Sequence, residues 1–440
     1  MNAPQTSDLQ VGGSFNPGMD EEIFDQFAEQ LERYVRERLI PAEPEVIEND
    51  AIPSEIVDEM REMGLFGLTV PEEYGGAGLN MTQYARTVNI MAYAAPAYRS
   101  IFSINVGMFA SALKNGATEA QRAEWFPKLA EGKIACFGLT EPGSGSDSAG
   151  LQTTAKPSAD GNGWVLNGTK RYITNAPHAD VALIMARTEK ENLPKNAHVS
   201  AFLVPMNAAG VSTGSPDKKM GQSGSHISDI MLDDVEVPGE ALLGGETGKG
   251  FRFAMMSLDN GRISVGAAST GYARRALDSA LRYANERKAF GEPIANFQLI
   301  QQMLAESETE IYAAEAMMAD VTARADRGEN ILVKAAAFKV FASEMCGRVV
   351  DRAALACDAH GGAADGAVSG VVRVAVYPVG GLNRGAQAAI PRVAVTGLNR
   401  AEATAPAPLP RRRRRTRGLP VCHRRNRCRP ACRNDRGRTG

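Results

Sequence analysis

This chain of 440 residues has no apolar run long enough to span a membrane as a helix. Its N-terminus lacks the basic start and apolar core of a secretory signal. It carries Asp8, Asp20, Glu21 and Glu22 where a transit peptide would be arginine-rich and poor in acids. The six cysteines do not make a disulfide scaffold. Cys136, Cys346 and Cys357 are scattered among apolar residues, so a reducing, cytoplasmic setting is expected. No metal is expected either: His178, His198 and His226 have no partner at metal-ligand spacing and read as core or surface residues, and His360 reads as structural. A regular series of alternating strands and helices is also missing, which argues against a Rossmann sheet.

What is present is a chain with 44% hydrophobic and 23% charged residues, globular in composition and long enough for two or three domains. The net charge of −2 conceals a division. Residues 363–440 hold 17 Arg, no Lys and 3 acids (Asp365, Glu402, Asp435), a charge of +14. The totals of 49 basic and 51 acidic residues then leave 32 and 48 in residues 1–362, a charge of −16.

The pattern along the chain divides it further. Residues 1–18 are rich in Gly, Pro and Ser and are expected to be disordered. Residues 19–134 form a helical domain: Ile23, Phe24, Phe27, Leu31 and Tyr34, then Ile56, Val57, Met60 and Met63, recur at helical spacing. Pro41 and Pro44 are expected to separate these two runs, with further helices over 82–130 broken at Pro96. Residues 135–247 form a β domain. "WVLNGTKRYIT" reads as a hairpin, Trp164–Leu166 turning at Asn167–Gly168 into Lys170–Thr174, and strands are expected over 181–186, 198–205 and 229–238. Residues 248–362 return to helical spacing, with one long amphipathic helix after Phe297 and another over 330–357. Beyond residue 363 the periodicity ends, and "APAPLPRRRRRTRG" can bury no core.

The loop "GLTEPGSGSDSAG" (138–150) has the glycines of a phosphate cradle, but it opens the β domain and fails the G-x-G-x-x-G spacing. Taken alone it reads as a plain surface turn. Asp259 and Arg262, taken alone, read as an ordinary i,i+3 pair on a helix.

Several stretches together resemble the acyl-CoA dehydrogenase family. They are "GLFGLTVPEEYGGAGL" (64–79), "FGLTEPGSGSDSAG" (137–150), "LNGTKRYITNA" (166–176), "DVEVP" (234–238), "LDNGRIS" (258–264), "ERKAFGEPIANFQ" (286–298) and "HGG" (360–362), in the family's order over about residues 20–362. The resemblance implies an α+β multidomain fold: an N-terminal helical domain, a central β-barrel or sandwich domain, and a C-terminal helical bundle, here incomplete and followed by a disordered Arg-rich tail. It implies FAD as cofactor and an acyl-CoA thioester as substrate, dehydrogenated between Cα and Cβ. The chemistry asks for a carboxylate base at Cα, a polarised thioester carbonyl and a flavin held against Cβ. By resemblance, Thr140 and Thr174 hydrogen-bond the flavin ring, Tyr172 lies beside it, and Ser146, Asp259 and Arg262 contact acyl-CoA. Arg287, Phe290 and Gln298 meet FAD, Arg287 from the neighbouring subunit, and Gly361 and Gly362 approach it closely. Asp358 stands where the family often has Gln. A homodimer or homotetramer and an electron-transfer flavoprotein partner are implied as well, with no membrane partner.

The family's base is a Glu in one of two places. One corresponds to Gly261 and the other falls near Gly385, and no Glu occurs between Glu344 and Glu402. Two explanations compete. A reading-frame change just after Gly362 would account for the abrupt shift in composition. A genuine basic tail would bind nucleic acid non-specifically through Arg411–Arg415 and Arg417. "CHRRNRCRPAC" (422–432) offers Cys422, His423, Cys428 and Cys432, which depart from C-x2-C zinc spacing. An acyl-CoA oxidase is the alternative enzyme, and a non-catalytic flavoprotein or nucleic-acid binder acting through the tail is the alternative of another class.

Overall fold

Asp20 opens the first helix by accepting hydrogen bonds from the backbone N–H groups of Glu22 (3.0 Å) and Ile23 (3.3 Å) in a computed structural model that describes residues 16–188 and 194–357. Helix α1 (Glu21–Tyr34) buries Phe24, Ala28 and Leu31, one stripe at i, i+4, i+7. It runs through a π-helical stretch, Val35–Leu39, into α2 (Ile40–Asn49). Pro41 and Pro44 therefore do not separate two helices as their spacing predicts. Pro41 falls in the first turn of α2, where no donor is required. The π stretch shifts the ladder by one residue, with Ile40 N–H bonding to Val35 C=O, so the helix passes both prolines. The break comes at Asp50, left-handed at φ 47°, before α3 (Ser54–Glu62).

Helix α4 (Met81–Met91) carries a capping box between Asn80 and Gln83. Its two remaining leading donors are met from far along the chain: Asp326 accepts from Met81 N–H (2.7 Å), Thr82 N–H (3.1 Å) and Thr82 Oγ1 (2.5 Å). Helix α5 (Pro96–Ser103) begins with its proline, continues through a second π stretch (Ile104–Phe109) into α6 (Ala110–Gly116), and is followed by α7 (Glu119–Ala130).

The sheet has the strand order β1 (Ala135–Gly138), β4 (Val181–Arg187), β2 (Thr154–Pro157), β3 (Gly163–Thr174), β7 (Ile227–Pro238) and β6 (Val211–Thr213), with β5 (Val199–Pro205) on β4. The β1–β4 pairing is parallel, and β3 lies antiparallel to both β2 and β7. Strands β4 and β5 are buried along almost their whole length, as their continuous apolar runs require.

The expected hairpin at Asn167–Gly168 does not form: β3 is one strand of 12 residues. Asn167 pairs with Thr154 inside the ladder, and the register against β7 shifts between Leu166 and Gly168. The glycine serves a bulge. Its φ is +148°, and a Cβ there would meet Thr153 Oγ1 at 2.5 Å. The Asn167 amide is used across the strands, donating to Asp234 Oδ1 (2.9 Å) and accepting from Asp234 N–H (2.9 Å).

Three long helices follow: α8 (Gly250–Glu286), α9 (Gln298–Asp326) and α10 (Leu332–Ala356), with a short β8–β9 hairpin (Lys288–Ala289, Glu292–Pro293) before α9. One core joins them to the N-terminal helices, with Phe24, Tyr84, Ile263 and Phe338 among its members. A second joins α6 and α7 to β1, β4, β5 and the start of α8 through Phe109, Leu139, Leu183 and Phe253. The middle of α8 thus lies where helices and sheet meet.

Candidate active site at the junction of sheet and helices

The Thr140 loop is anchored by the residue after it. Glu141 forms an ion pair with Lys170 of β3 at 2.7 Å, and both side chains are buried. Its carboxylate also accepts from Gln152 N–H (2.5 Å), Thr153 N–H (2.9 Å) and Thr153 Oγ1 (2.5 Å). Burial alone would raise the Glu141 pKa, but Lys170 and these donors outweigh it and hold the group below its ordinary value. Burial brings Lys170 down to about 8, with Glu141 opposing that shift, so both stay charged at neutral pH. Three donors and a cation on one carboxylate make this pair a structural anchor.

Arg171 N–H donates to Thr140 C=O at 2.8 Å, which ties the loop to the end of β3. The register of β3 slips again between Lys170 and Ile173, and Tyr172 sits in this irregularity at φ 59°. A bulky residue with positive φ is uncommon and marks a constrained site. Its ring is 61% exposed, with the Arg171 guanidinium 4.7 Å from the centroid. Thr140 and Thr174 are half-buried, and among the described residues neither hydroxyl makes a hydrogen bond. The buried Asn175 then donates to the carbonyls of Ser100 (3.4 Å) and Ile101 (2.9 Å), pinning this edge of the sheet to α5.

Ser146 is exposed, and a Cβ at Gly143 or Gly145 would meet nothing within 4 Å. The glycines thus have no protein neighbour in close approach.

On α8, Asp259 is buried and ion-paired with Arg262. Burial lowers the Arg262 pKa from its ordinary value. A Cβ at Gly261 would also point into open space. One turn on, Ser264 Oγ accepts from Tyr84 Oη (3.0 Å) and from Arg99 Nη2 (3.0 Å). The sequence reading passed over Arg99. The available signal was an arginine in a helix, "PAYRSIFS", whose other residues are small, apolar or neutral.

Arg287, Phe290 and Gln298 are exposed at the other end of α8 and the start of α9, with Phe290 98% exposed and 6.1 Å from the Phe297 ring. Arg287 lies 26 residues beyond Gly261, about 39 Å along a helix. His360, Gly361, Gly362, the region near Gly385, the Arg-rich tail and the Cys422–Cys432 cluster lie outside the described residues, as do residues 1–15.

His178 and His226, read from sequence as core or surface residues with no partner at metal-ligand spacing, contact each other: Nε2 to Nδ1 at 2.6 Å, with His226 Nε2 2.6 Å from Asp50 C=O. Burial first, and His226 second, lower the His178 pKa. Among the described residues no group of three or more His, Cys, Asp or Glu side chains could hold a metal ion, and no helix is long and apolar enough to cross a membrane.

A cavity of about 490 Å³ lies alongside, lined by Tyr84, Val106, Gly107, Lys114, Met256 and Asn260 among others. None of the cofactor or substrate contacts expected from the sequence lines it, although Tyr74 and Asn260 come from two of the motif stretches, so it is a neighbour of the junction and not the place where those contacts converge.

Family models described as acyl-CoA dehydrogenase N-terminal, middle and C-terminal domain match residues 21–133, 136–235 and 248–381. The last runs past Gly362. The chain is 38% identical over 335 residues to "Probable acyl-CoA dehydrogenase YngJ" of Bacillus subtilis, covering 76% of this chain and 86% of that one. It is 38% identical over 319 residues to "Caffeyl-CoA reductase-Etf complex subunit CarC" of Acetobacterium woodii, covering 72% of this chain and 82% of that one. An acyl-CoA dehydrogenase from Bacillus anthracis, solved in complex with FAD, superposes with a TM-score of 0.78 at 30% identity, covering 89% of this chain and 71% of the other.

Proposed function

Because the chain belongs to the acyl-CoA dehydrogenase family, we propose that it binds FAD and an acyl-CoA thioester at the Thr140–Thr174 edge and dehydrogenates the acyl group between Cα and Cβ. One observation carries this reading. The Arg171–Thr140 hydrogen bond brings two half-buried threonine hydroxyls and the exposed Tyr172 ring to one edge, beside glycines that crowd nothing in the protein. That edge fits a flat heteroaromatic group: donors at its rim, an aromatic face, and backbone free to approach.

FAD, when bound, supplies the acceptor for the hydride leaving Cβ. The chain's own work is positioning. Thr140 and Thr174 donate to the ring edge, and the Glu141–Lys170 pair keeps Thr140 in place. Ser146, Asp259 and Arg262 serve the CoA side. Arg287, Phe290 and Gln298 serve the FAD of a neighbouring copy, which makes the protein a homodimer or homotetramer. Electrons pass on to an electron-transfer flavoprotein, a reading supported by the Etf complex named for one relative.

Removal of the α-proton needs a base, and the described residues near the site offer none. Glu141 is held ionised by Lys170 and accepts three further hydrogen bonds, so its proton affinity is low. Asp259 is tied to Arg262, and Gly261 has no carboxyl. By the family's pattern the base belongs to the C-terminal segment, where this chain has no Glu near Gly385, so the chain as it stands lacks that base and full turnover waits on its restoration.

The test is FAD titration of the purified full chain, followed by flavin fluorescence, against Thr140→Ala and Thr174→Val. Each variant should bind FAD roughly tenfold more weakly, the loss of one hydrogen bond. Unchanged affinity in both variants places the flavin elsewhere.

A further inference from the structure

Burial brings three lysines of this protein down to about 8: Lys114, Lys170 and Lys339. Two of them are sealed. Lys170 is fully buried against Glu141, and Lys339 of α10 is 3% exposed. Lys114, on α6, is half-buried and lines the cavity of about 490 Å³ beside the junction. Among the described residues it forms no ion pair. Its Nζ donates to one group, the neutral amide oxygen of Asn16 at 3.0 Å. Asn16 is itself fixed by donating to the carbonyls of Thr69 (2.9 Å) and Leu79 (3.2 Å).

The charged and titratable groups around the cavity leave Lys114 without a counter-charge. Glu119 is shared between Arg122 (3.4 Å) and the Tyr74 hydroxyl, and Glu329 lies between Arg324 (2.8 Å) and Arg327 (2.8 Å). Glu73 is exposed in the cavity lining and pairs with none of these. At pH 7 an amine of pKa about 8 is unprotonated in about one molecule in ten, against about one in three thousand for an ordinary lysine. The unprotonated amine is a nucleophile. Lys114 also stands near the helix turn assigned to the CoA side. It lies one turn after Ser111, whose Oγ accepts from Asn260 Nδ2 (3.1 Å), and Asn260 sits between Asp259 and Gly261 on α8. Leu79, Val106 and Met256 give the cavity an apolar side suited to an acyl chain.

We propose that Lys114 is a covalent modification site, acylated at Nζ by an acyl-CoA whose thioester enters the cavity. This rests on the acyl-CoA reading above for the supply of the thioester. The unprotonated amine adds to the thioester carbonyl and the C–S bond breaks. Coenzyme A leaves as the thiolate and takes up the proton that the nitrogen sheds. The new amide is neutral, so the cavity loses a cation that burial disfavours. The amide keeps one N–H for Asn16 Oδ1, and its acyl chain lies against Leu79, Val106 and Met256. Acyl-CoA in excess thus fills a cavity next to the site with its own acyl group.

The experiment incubates the full chain, supplied with FAD, with butanoyl-CoA and follows acylation of each lysine by peptide mass spectrometry, while calorimetry measures binding of the thioester. Lys114 should acylate at least about tenfold faster than the exposed Lys156 and Lys218, and its rate should level off above about pH 8. Asn16→Asp sets a carboxylate where the amide oxygen lies 3.0 Å from Nζ. It should hold the proton on Lys114 and slow its acylation by about tenfold, with the rate at Lys156 unchanged. If butanoyl-CoA binds and Lys114 reacts no faster than the exposed lysines, the proposal is overturned and the acyl-CoA reading stands. An unchanged Lys114 rate in Asn16→Asp has the same meaning. Failure of butanoyl-CoA to bind overturns the acyl-CoA reading and the proposal with it.

Discussion

At the scale of single residues, two positions decide how the site is held and how it would react. Lys170→Met leaves the Glu141 carboxylate buried without its cation. It should destabilise the protein by about 3–5 kcal/mol in urea unfolding, whereas the double change Lys170→Met with Glu141→Gln should recover much of that. The pair also sets an acid limit. The folded pKa of Glu141 lies below the ordinary value, so its contribution is full above about pH 4.3 and is lost as pH falls through the lower folded value. The urea midpoint should drop below pH 4, and the double variant should flatten that drop. Gly261 decides the chemistry. Its Cβ direction is open, so Gly261→Glu fits without displacement and relieves a helix of a glycine. If the base is what the described site lacks, Gly261→Glu should speed anaerobic, acyl-CoA-dependent bleaching of the flavin by about 10²–10⁴-fold. No acceleration, in a variant that still binds FAD, would mean that a base is already in place.

At the scale of elements, composition and period reached most of the architecture and missed where local rules were overruled. The strands β4, β5 and β7 and the long helices α8 and α9 were legible because their apolar runs are buried in the period their geometry demands. The Pro41–Pro44 break was not, since a π stretch absorbs it. Asn167–Gly168 reads locally as a turn, but pairing of β3 with β2 and β7 on its two sides makes it a bulge. The two environments give opposite outcomes for one substitution. Gly168→Ala should cost roughly 1–3 kcal/mol, through its backbone angle and contact with Thr153. Gly261→Ala should stabilise by about 0.5–1 kcal/mol. Denaturant midpoints of the two variants check the pair. At the site, Thr140, Tyr172 and Thr174 were reached through motif order and not through period. Arg99 was missed because a charge in a helix says nothing of itself until the structure shows that no acid faces it.

At the scale of the whole molecule, about 39 Å of α8 separates Gly261 from Arg287, so one copy cannot easily place both ends of a cofactor site. Phe290→Asp should therefore lower the oligomeric state in sedimentation and release FAD together, although Phe290 touches neither threonine. A loss of FAD with assembly intact would make the effect local. The C-terminal question has a genetic answer: resequencing across the codons for His360–Asp365 should reveal a frame change, and the restored chain should bleach flavin with acyl-CoA faster than this one. If it does not, the basic segment is genuine. The carboxylate of Asp326 bears on something slower than any of these equilibria. It completes the start of α4 from 245 residues downstream. At about 5–20 residues per second, synthesis of the intervening chain takes on the order of ten to fifty seconds. For that time the first domain waits on the ribosome with its fourth helix open at one end, and nascent chains halted short of residue 326 should be cut by protease near Met81 while longer ones resist.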